Sequence, residues 1–180
     1  MFLELYLVAK RIECTNAIER GTADADAYFT IAFMCEYGVF GMSLDTQKAL
    51  EYYTVAAAQG LAIAQCNLGK MYMKGEHCPK DLTKARELME SSAEQGHGLA
   101  QYYLATMLRD EDPVEARRLL KLAAAKDIQK AQYLLGTFFE HGHGGNINMV
   151  KARRFYKMAA RKGHPEAEGR LAQLASHAAR

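Results

Sequence analysis

The chain repeats one short pattern, and an alanine marks the start of each copy. The alanine recurs at intervals of 37, 36, 31 and 36 residues, as Ala27, Ala64, Ala100, Ala131 and Ala167. In the second copy, Leu68, Gly69 and Tyr72 follow the alanine at +4, +5 and +8, which places them on one face of a helix. A short helix cannot bury such a face alone, so each unit needs neighbouring copies of itself.

Each unit continues through a polar loop into a second helical segment. Gly75 ends the first segment of the second copy, because glycine adopts the left-handed conformation at a helix end without a Cβ penalty. Asp81 is placed to cap the second segment, which carries Ala85 and Met89 at helical spacing and stops at Gly96. Equivalent signals in other copies are Gly38, Gly142, Asp45, Asp112 and Asn148. The pattern predicts an all-α, α/α solenoid of helix pairs.

Two stretches make the pattern specific: AQCNLGKMYMKGEHCPKDLTKA and AQYLLGTFFEHGHGGNINMVKARRFYKMAARKG. They resemble Sel1-like repeats, which are relatives of tetratricopeptide repeats with a longer, glycine-rich loop. The third copy is about five residues shorter between its helices and has Pro113 in place of the glycine loop. The resemblance implies a right-handed superhelix whose concave face holds partner proteins, and it implies no chemistry. The four repeats are predicted at 27–60, 64–96, 100–127 and 131–163.

Capping helices are predicted at both ends of a single solenoid domain spanning 1–180, at 1–21 and 164–180. We expect Phe2, Leu5 and Tyr6 to cover the first full repeat. The C-terminal helix repeats the first-helix pattern in Ala167, Leu171 and Leu174. The N-terminal helix is the more apolar of the two. It is either a homodimer surface or the point at which a longer solenoid is cut.

The charge of the chain is unevenly distributed. The net charge is +2, but residues 1–149 carry 15 Lys and Arg against 19 Asp and Glu, a balance of −4, and residues 150–180 carry 8 against 2, a balance of +6. Such an asymmetry indicates either a basic contact region or a solvated helix face. With 49% hydrophobic and 24% charged residues, the chain has the composition of a folded protein.

The spacing of the cysteines and the sequence of the N-terminus indicate the cellular compartment in which the protein is expected. The cysteines, Cys14, Cys35, Cys66 and Cys78, are irregularly spaced and lack the repeated pair that staples some extracytoplasmic Sel1-like proteins. Free thiols in a reducing compartment fit this spacing. No apolar run approaches the ~18 residues needed to span a bilayer. The start is a poor signal peptide, because Glu4 interrupts its apolar stretch and no basic residue precedes it. We therefore expect a cytoplasmic protein without a transmembrane segment.

Candidate catalytic and metal-binding groups are weak. His141 and His143 flank a glycine in a loop, where their spacing does not put both on one helical face, and no third ligand is nearby. The acidic run 110–112 fits a polar turn that caps the next helix. The glycines of 141–145 follow no strand and precede no Gly-Lys-Ser or Gly-Lys-Thr, so they do not form a phosphate loop. We expect no catalytic residue, no metal, no cofactor and no small-molecule substrate.

The predicted binding surface is the concave face, which first helices line in tetratricopeptide arrays. It takes positions +2, +3, +6, +9 and +10 after each alanine. A solvated face would be mostly charged, whereas this set contains aromatic residues, Met and Arg, which are enriched in the cores of protein interfaces. The predicted partner-binding residues are Phe29, Phe33, Tyr37, Asn67, Lys70, Lys74, Tyr102, Tyr103, Arg109, Tyr133 and His141.

Two functional classes remain on these grounds. The first is a non-catalytic adaptor or scaffold that binds a peptide or helix of a partner protein. The second binds an anionic partner, RNA or an acidic membrane surface, through Lys151, Arg153, Arg154, Lys157, Arg161 and Lys162. Arg154, Lys157 and Arg161 share a helical face, but no aromatic residue interleaves with them to stack bases. The adaptor is therefore favoured, and nucleic-acid binding is disfavoured.

Overall fold

The structure is a computed structural model that describes residues 2–178, with side chains for residues 3–176. This part of the chain forms helices and no strands, which confirms the predicted all-α class. The helices are α1 (Phe2–Glu19), α2 (Ala25–Tyr37), α3 (Thr46–Ala58), α4 (Ala62–Lys74), α5 (Leu82–Glu94), α6 (Gly98–Met107), α7 (Pro113–Ala125), α8 (Gln129–His141), α9 (Met149–Arg161) and α10 (Pro165–Ala178).

The helices are arranged in two compact units, one ending at Gln95 and the other starting at Gly96. In the first unit α1 packs on α2, α2 on α3, α3 on α4 and α4 on α5. In the second unit α6 packs on α7, α7 on α8, α8 on α9 and α9 on α10. Each helix thus packs mainly against its neighbours in the chain, as the predicted helix-pair architecture requires.

Capping groups set the ends of the helices, as the sequence predicts. Each second helix, α3, α5, α7 and α9, begins where an Asp or Asn side chain accepts a hydrogen bond of 2.9–3.0 Å from the backbone N–H three residues on. These residues are Asp45, Asp81, Asp112 and Asn148. The first helices α2, α4 and α8 end at glycines with positive φ, Gly38, Gly75 and Gly142. α6 ends instead at Leu108, because its loop is short.

The core of the first unit lies between the first and second helices. Ile31, Met34, Tyr53 and Leu68 are each less than 5% exposed. The four cysteines of the chain are all free thiols, as predicted. Cys14, Cys35 and Cys66 are buried and Cys78 is half-buried.

A glutamine directly after the repeat's alanine joins neighbouring helix pairs. In the first unit Gln65 Nε2 donates to the carbonyl of Ala57 at 3.3 Å, and in the second Gln132 Nε2 donates to the carbonyl of Ala124 at 3.3 Å. Both carbonyls lie in the last turn of a second helix, where backbone acceptors lack intrahelical partners. The pair Ala-Gln recurs at 64–65, 100–101 and 131–132, and this recurrence is the sequence signal for the contact.

Helix α1 packs differently from the prediction. Leu5 and Tyr6, expected to cover the first repeat, are each 63% exposed, whereas Cys14 is 2% exposed and packs against α2. Arg11 Nη1 donates to the carbonyl of Gly41, just after the end of α2, at 3.1 Å. The first turns of α1 therefore extend beyond α2, which has 13 residues against the 18 of α1. The side chain of Phe2 lies outside the described residues.

The exposed side of α1 carries several large apolar side chains. Leu3, Leu5 and Tyr6 are between 63% and 70% exposed, and Ile12 is 49% exposed. The sequence leaves two interpretations of this surface, a homodimer contact or the point at which a longer solenoid is cut, and both stay predictions.

Gly136 makes room for a buried tyrosine of the partner helix. A Cβ atom at this position of α8 would lie 2.6 Å from Cε1 of Tyr156, whose ring is fully buried. Contacts this short do not occur, so a side chain at 136 requires the ring or the helix to move.

We therefore expect Gly136→Ala to lower the free energy of unfolding by about 1–3 kcal/mol, as overpacking of a buried site does. Urea unfolding followed by circular dichroism measures the change. Adding Tyr156→Leu should restore part of the loss, because Ala105 and Leu120 occupy the equivalent positions of the third repeat. Gly169→Ala is the matched control, since a Cβ there meets nothing within 4 Å. Equal losses for the two alanine variants would contradict the steric explanation.

Candidate functional site

In the first unit, an aromatic row runs along one side of α2, from a ring that packs against α3 to rings that are exposed. Phe29, Phe33 and Tyr37 follow one another at intervals of four residues, with ring centroids 6.4 Å and 4.7 Å apart. Phe33 is 40% exposed and Tyr37 is 52% exposed, whereas Phe29 is half-buried and lies 5.8 Å from the ring of Tyr53. The row is anchored at one end and accessible at the other.

A hydrogen-bond chain holds the tyrosine beneath this row. The Tyr53 hydroxyl donates to Glu36 Oε2 at 2.6 Å and accepts from Asn67 Nδ2 at 3.3 Å. Burial, and then the carboxylate of Glu36, raise the pKa of Tyr53, so the phenol keeps its proton. Asn67, predicted to contact a partner, therefore also has a structural role, since it links α4 to α3.

The two lysines predicted on this face differ in their surroundings. Lys74 Nζ lies 3.1 Å from Glu76 Oε1, so a carboxylate already balances its charge. Lys70 is half-buried and forms no ion pair among the described residues. The first-unit face, consisting of Phe29, Phe33, Tyr37, Asn67 and Lys70, thus combines apolar rings with one unbalanced positive charge.

In the second unit, α6 presents a pair of tyrosines. The rings of Tyr102 and Tyr103 meet edge to face, with centroids 5.2 Å apart, and both residues are half-buried. Burial raises the pKa of Tyr102. Arg109 is exposed, with its Nε 3.8 Å from Asp110 Oδ1. Tyr102 and Tyr103 lie on the part of α6 that was predicted to face a partner, and Arg109 follows just beyond the end of the helix.

A cleft of about 510 Å³ opens between α8 and α10. Tyr133, Thr137 and His141 line it from α8, at positions +2, +6 and +10 of the fourth repeat. Tyr133 is held in place by His164, on which its ring stacks with centroids 4.2 Å apart and planes inclined by 15°. The other lining residues are Tyr156, Glu166, Gly169, Arg170 and Gln173. The predicted positions of one first helix therefore meet the next first helix around a single depression, the α8–α10 cleft.

Arg170, which lines this cleft, forms an ion pair with a buried carboxylate, that of Glu140. Glu140 is 9% exposed, and its Oε2 accepts hydrogen bonds from the Tyr156 hydroxyl at 2.6 Å and from Arg170 Nε at 3.0 Å. The hydrogen bonds from Arg170 are the main reason why the pKa of Glu140 lies below its usual value. The carboxylate is fully satisfied, so it stabilises the junction of α8, α9 and α10.

Two residues on the predicted first-helix face are buried instead. Position +9 of the fourth repeat places Glu140 on that face, but its side chain turns toward α9 and α10. Position +2 of the second repeat places Cys66 there, and Cys66 is 1% exposed. These positions lie at the border between the accessible and the packed sides of the helix.

The described residues contain no cluster that could hold a metal ion and no helix that could cross a membrane. No three His, Cys, Asp or Glu side chains are close enough there to hold an ion, and the rings of His141 and His143 lie 5.9 Å apart. None of the described helices combines the length and apolar character needed to cross a membrane.

The six basic residues predicted as an anionic contact do not share one surface. Lys162 Nζ lies 3.0 Å from Asp127 Oδ1, and Lys151 Nζ lies 5.4 Å from the ring centroid of Phe139. Arg153 Nη2 donates to the carbonyl of Leu174 at 2.9 Å. The remaining three, Arg154, Lys157 and Arg161, are exposed and line one side of α9 together with Arg153.

Comparison with known proteins identifies the repeats. A family model described as "Sel1 repeat" matches residues 25–61, 62–97, 98–128 and 129–164. These ranges differ from the repeat boundaries predicted from the sequence by one or two residues at each end.

Two curated proteins and one solved structure are similar to the chain. Chitin synthase regulatory factor 3 of Schizosaccharomyces pombe is 31% identical over 144 residues, which cover 76% of this chain and 16% of that protein. DAP3-binding cell death enhancer 1 of Mus musculus is 28% identical in an alignment 171 positions long, which covers 72% of this chain and 34% of that protein. The chain thus spans about a third or less of either relative.

The solved structure is that of a protective antigen of uropathogenic Escherichia coli with an SLR fold. It superposes with a TM-score of 0.83 at 26% identity, over 93% of this chain and 36% of the antigen.

Proposed function

The chain belongs to the Sel1 repeat family, and from this premise we propose that it is a non-catalytic adaptor that binds a peptide or helix of a partner protein on the accessible faces of its first helices. The relatives support an interaction role at a coarse level. One is named as a regulatory factor of chitin synthase and the other as a DAP3-binding protein, names that describe regulation and binding. The proposal for this chain concerns its own surface residues.

The observation that carries the proposal is the exposed aromatic row of α2. Large aromatic side chains lose little conformational entropy when they are buried, and they dominate the binding energy of many interfaces. Phe33 and Tyr37 are exposed without contributing to the core of the first unit. The neighbouring Lys70 favours a ligand that carries an acidic residue beside its apolar side chains.

The second unit supports the same role with a separate surface. In the α8–α10 cleft, Tyr133 is the accessible aromatic ring, Tyr156 is fully buried behind it, and Thr137 and His141 are polar lining groups. This combination of an aromatic ring with a few polar groups suits an extended peptide or one turn of a helix. The tyrosine pair of α6, with Arg109, offers a further aromatic and basic contact in this unit.

We expect the double change Phe33→Ala with Tyr37→Ala to weaken partner binding at least tenfold, which corresponds to about 1.4 kcal/mol. Partners are captured from cell lysate on the immobilised wild-type chain, and the affinity of each purified partner is then measured for wild type and variant. The thermal unfolding midpoint should change little, because neither side chain belongs to the core of the first unit.

The matched control is Leu82→Ala with Val114→Ala, which removes two exposed apolar side chains from the starts of second helices. This control should bind like the wild type. Unchanged binding by the Phe33 and Tyr37 variant, or an equal loss in the control, would overturn the assignment of the α2 row. The double change Tyr133→Ala with His141→Ala examines the second-unit cleft by the same measurement.

A further inference from the structure

Arg117 of α7 and Arg153 of α9 occupy the same place in consecutive repeats. Each directly follows the alanine that opens the packing stripe of a second helix, Ala116 or Ala152. Their surroundings differ, because Arg117 is 7% exposed and Arg153 is exposed. The comparison shows what kind of group can cover an arginine at this place.

Arg117 is covered by the repeat that follows it. Its guanidinium carbon lies 4.1 Å from the ring centroid of Phe139, and its Nη2 donates to the carbonyl of Asn146 at 3.2 Å. Gly144 and Gly145 permit this approach, since a Cβ on the first would collide with the backbone of Pro113 and a Cβ on the second with the guanidinium itself. An aromatic ring and a closely applied loop backbone therefore cover the arginine.

Around Arg153 the described structure has a cleft of about 620 Å³, which we call the α9 cleft. Arg153 retains one hydrogen bond, to the carbonyl of Leu174. The apolar contacts in the cleft come from Val150, which is 81% exposed, and Met158. The remaining lining residues are Arg154, Lys157 and Arg161.

The charge of the α9 cleft is unbalanced, in contrast to α7. On α7, Arg118 is paired with Glu115, whose Oε2 lies 2.7 Å from the arginine Nε. The equivalent pair on α9 is Arg154 and Lys151, so a like charge replaces the carboxylate. Arg154, Lys157 and Arg161 form no ion pair among the described residues. A surface with this excess of positive charge attracts carboxylates.

We infer that the α9 cleft binds an acidic peptide segment of a partner protein that also carries an aromatic side chain. The aromatic ring stacks on Arg153 as Phe139 stacks on Arg117, and a carbonyl of the segment accepts from a guanidinium as that of Asn146 does. The carboxylates of the segment pair with Arg154, Lys157 and Arg161, whose spacing places them along one side of the helix. Val150 and Met158 contact its apolar part. This site is separate from the first-helix faces of the proposed function.

The test uses the full chain and a fluorescein-labelled peptide of glutamates that contains one phenylalanine. Fluorescence anisotropy gives the dissociation constant. We expect Arg154→Glu with Lys157→Glu to weaken binding at least tenfold, and rising salt to weaken the wild-type complex. A peptide with alanine in place of the phenylalanine should bind more weakly. The matched control is Lys121→Glu with Lys130→Glu, which makes the same charge change at exposed positions of α7 and α8 and should bind like the wild type.

Several results would overturn the inference. One is equal binding by the wild type and the Arg154 and Lys157 variant while circular dichroism shows both folded. Another is equal affinity for the peptide without phenylalanine, which removes the aromatic contact. A third is a wild-type chain that does not bind the peptide but binds single-stranded RNA or phosphatidylserine vesicles. If the Arg154 and Lys157 variant loses that binding, the cleft belongs to another class of anion. Loss of peptide binding in the Phe33 and Tyr37 variant would move the peptide to the first-unit face. If the Phe33 and Tyr37 variant still binds the peptide, the α9 cleft and the first-unit face are independent surfaces.

Discussion

Replacing Tyr156 by alanine is expected to lower the free energy of unfolding by about 3–5 kcal/mol, as truncation of a buried aromatic residue does. The ring of Tyr156 is fully buried between Gly136 and Tyr133, whose centroid lies 5.5 Å away. Truncation leaves a cavity and removes the hydroxyl that donates to the buried carboxylate of Glu140. Urea unfolding of the full chain, followed by circular dichroism, measures the loss.

Tyr156→Phe separates the ring from its hydroxyl. This variant keeps the packed ring and removes one hydrogen bond to a charged acceptor, so we expect a loss of about 1–3 kcal/mol. Arg170 continues to balance the charge of Glu140 in both variants. If Tyr156→Ala lowers the free energy of unfolding no more than Tyr156→Phe does, packing of the ring contributes nothing. The stabilisation would then come from the hydroxyl alone.

Leu68→Ala should have the next largest effect, about 2–5 kcal/mol, because it opens a cavity among buried side chains. Leu68 is 4% exposed and belongs to the same core as Tyr53 and Ile31 in the first unit. Thermal unfolding followed by circular dichroism should show a clearly lowered midpoint. Ile63→Ala on the same helix is the matched control, since Ile63 is 38% exposed. A midpoint equal to that of the wild type would show that Leu68 is not a core residue.

The helix boundaries could be predicted from the sequence because local chemistry sets them. An Asp or Asn side chain caps each second helix and a glycine ends most first helices, and both depend on residues only a few positions apart. The repeated alanine then identifies the packing face of each helix. The burial of Leu68 and Leu104 follows from that periodicity alone.

The border positions could not be predicted in this way. Whether a residue at +2 or +9 faces solvent depends on the neighbouring helices, as the burial of Cys66 and Glu140 shows. The orientation of α1 depends on the length of α2, since the first turns of α1 extend beyond it. The excess positive charge near the C-terminus is visible in the sequence. Which of these basic residues have partners is not, because the contacts of Lys162 and Arg153 are made with residues distant in the chain.

The positions of the free cysteines make thiol alkylation a reporter of opening in the first unit. Alkylating reagents react with the thiolate, and burial raises the pKa of the Cys66 thiol to about 11. Burial raises the pKa of Cys14 and Cys35 as well, so these thiols should react with iodoacetamide only when the helices around them open. All the cysteines lie before Gln95, and residues from Gly96 onward contain none. The rate at which Cys14, Cys35 and Cys66 are alkylated in native buffer therefore reports opening of the first unit, whereas the half-buried Cys78 reacts without it and the second unit contributes no signal.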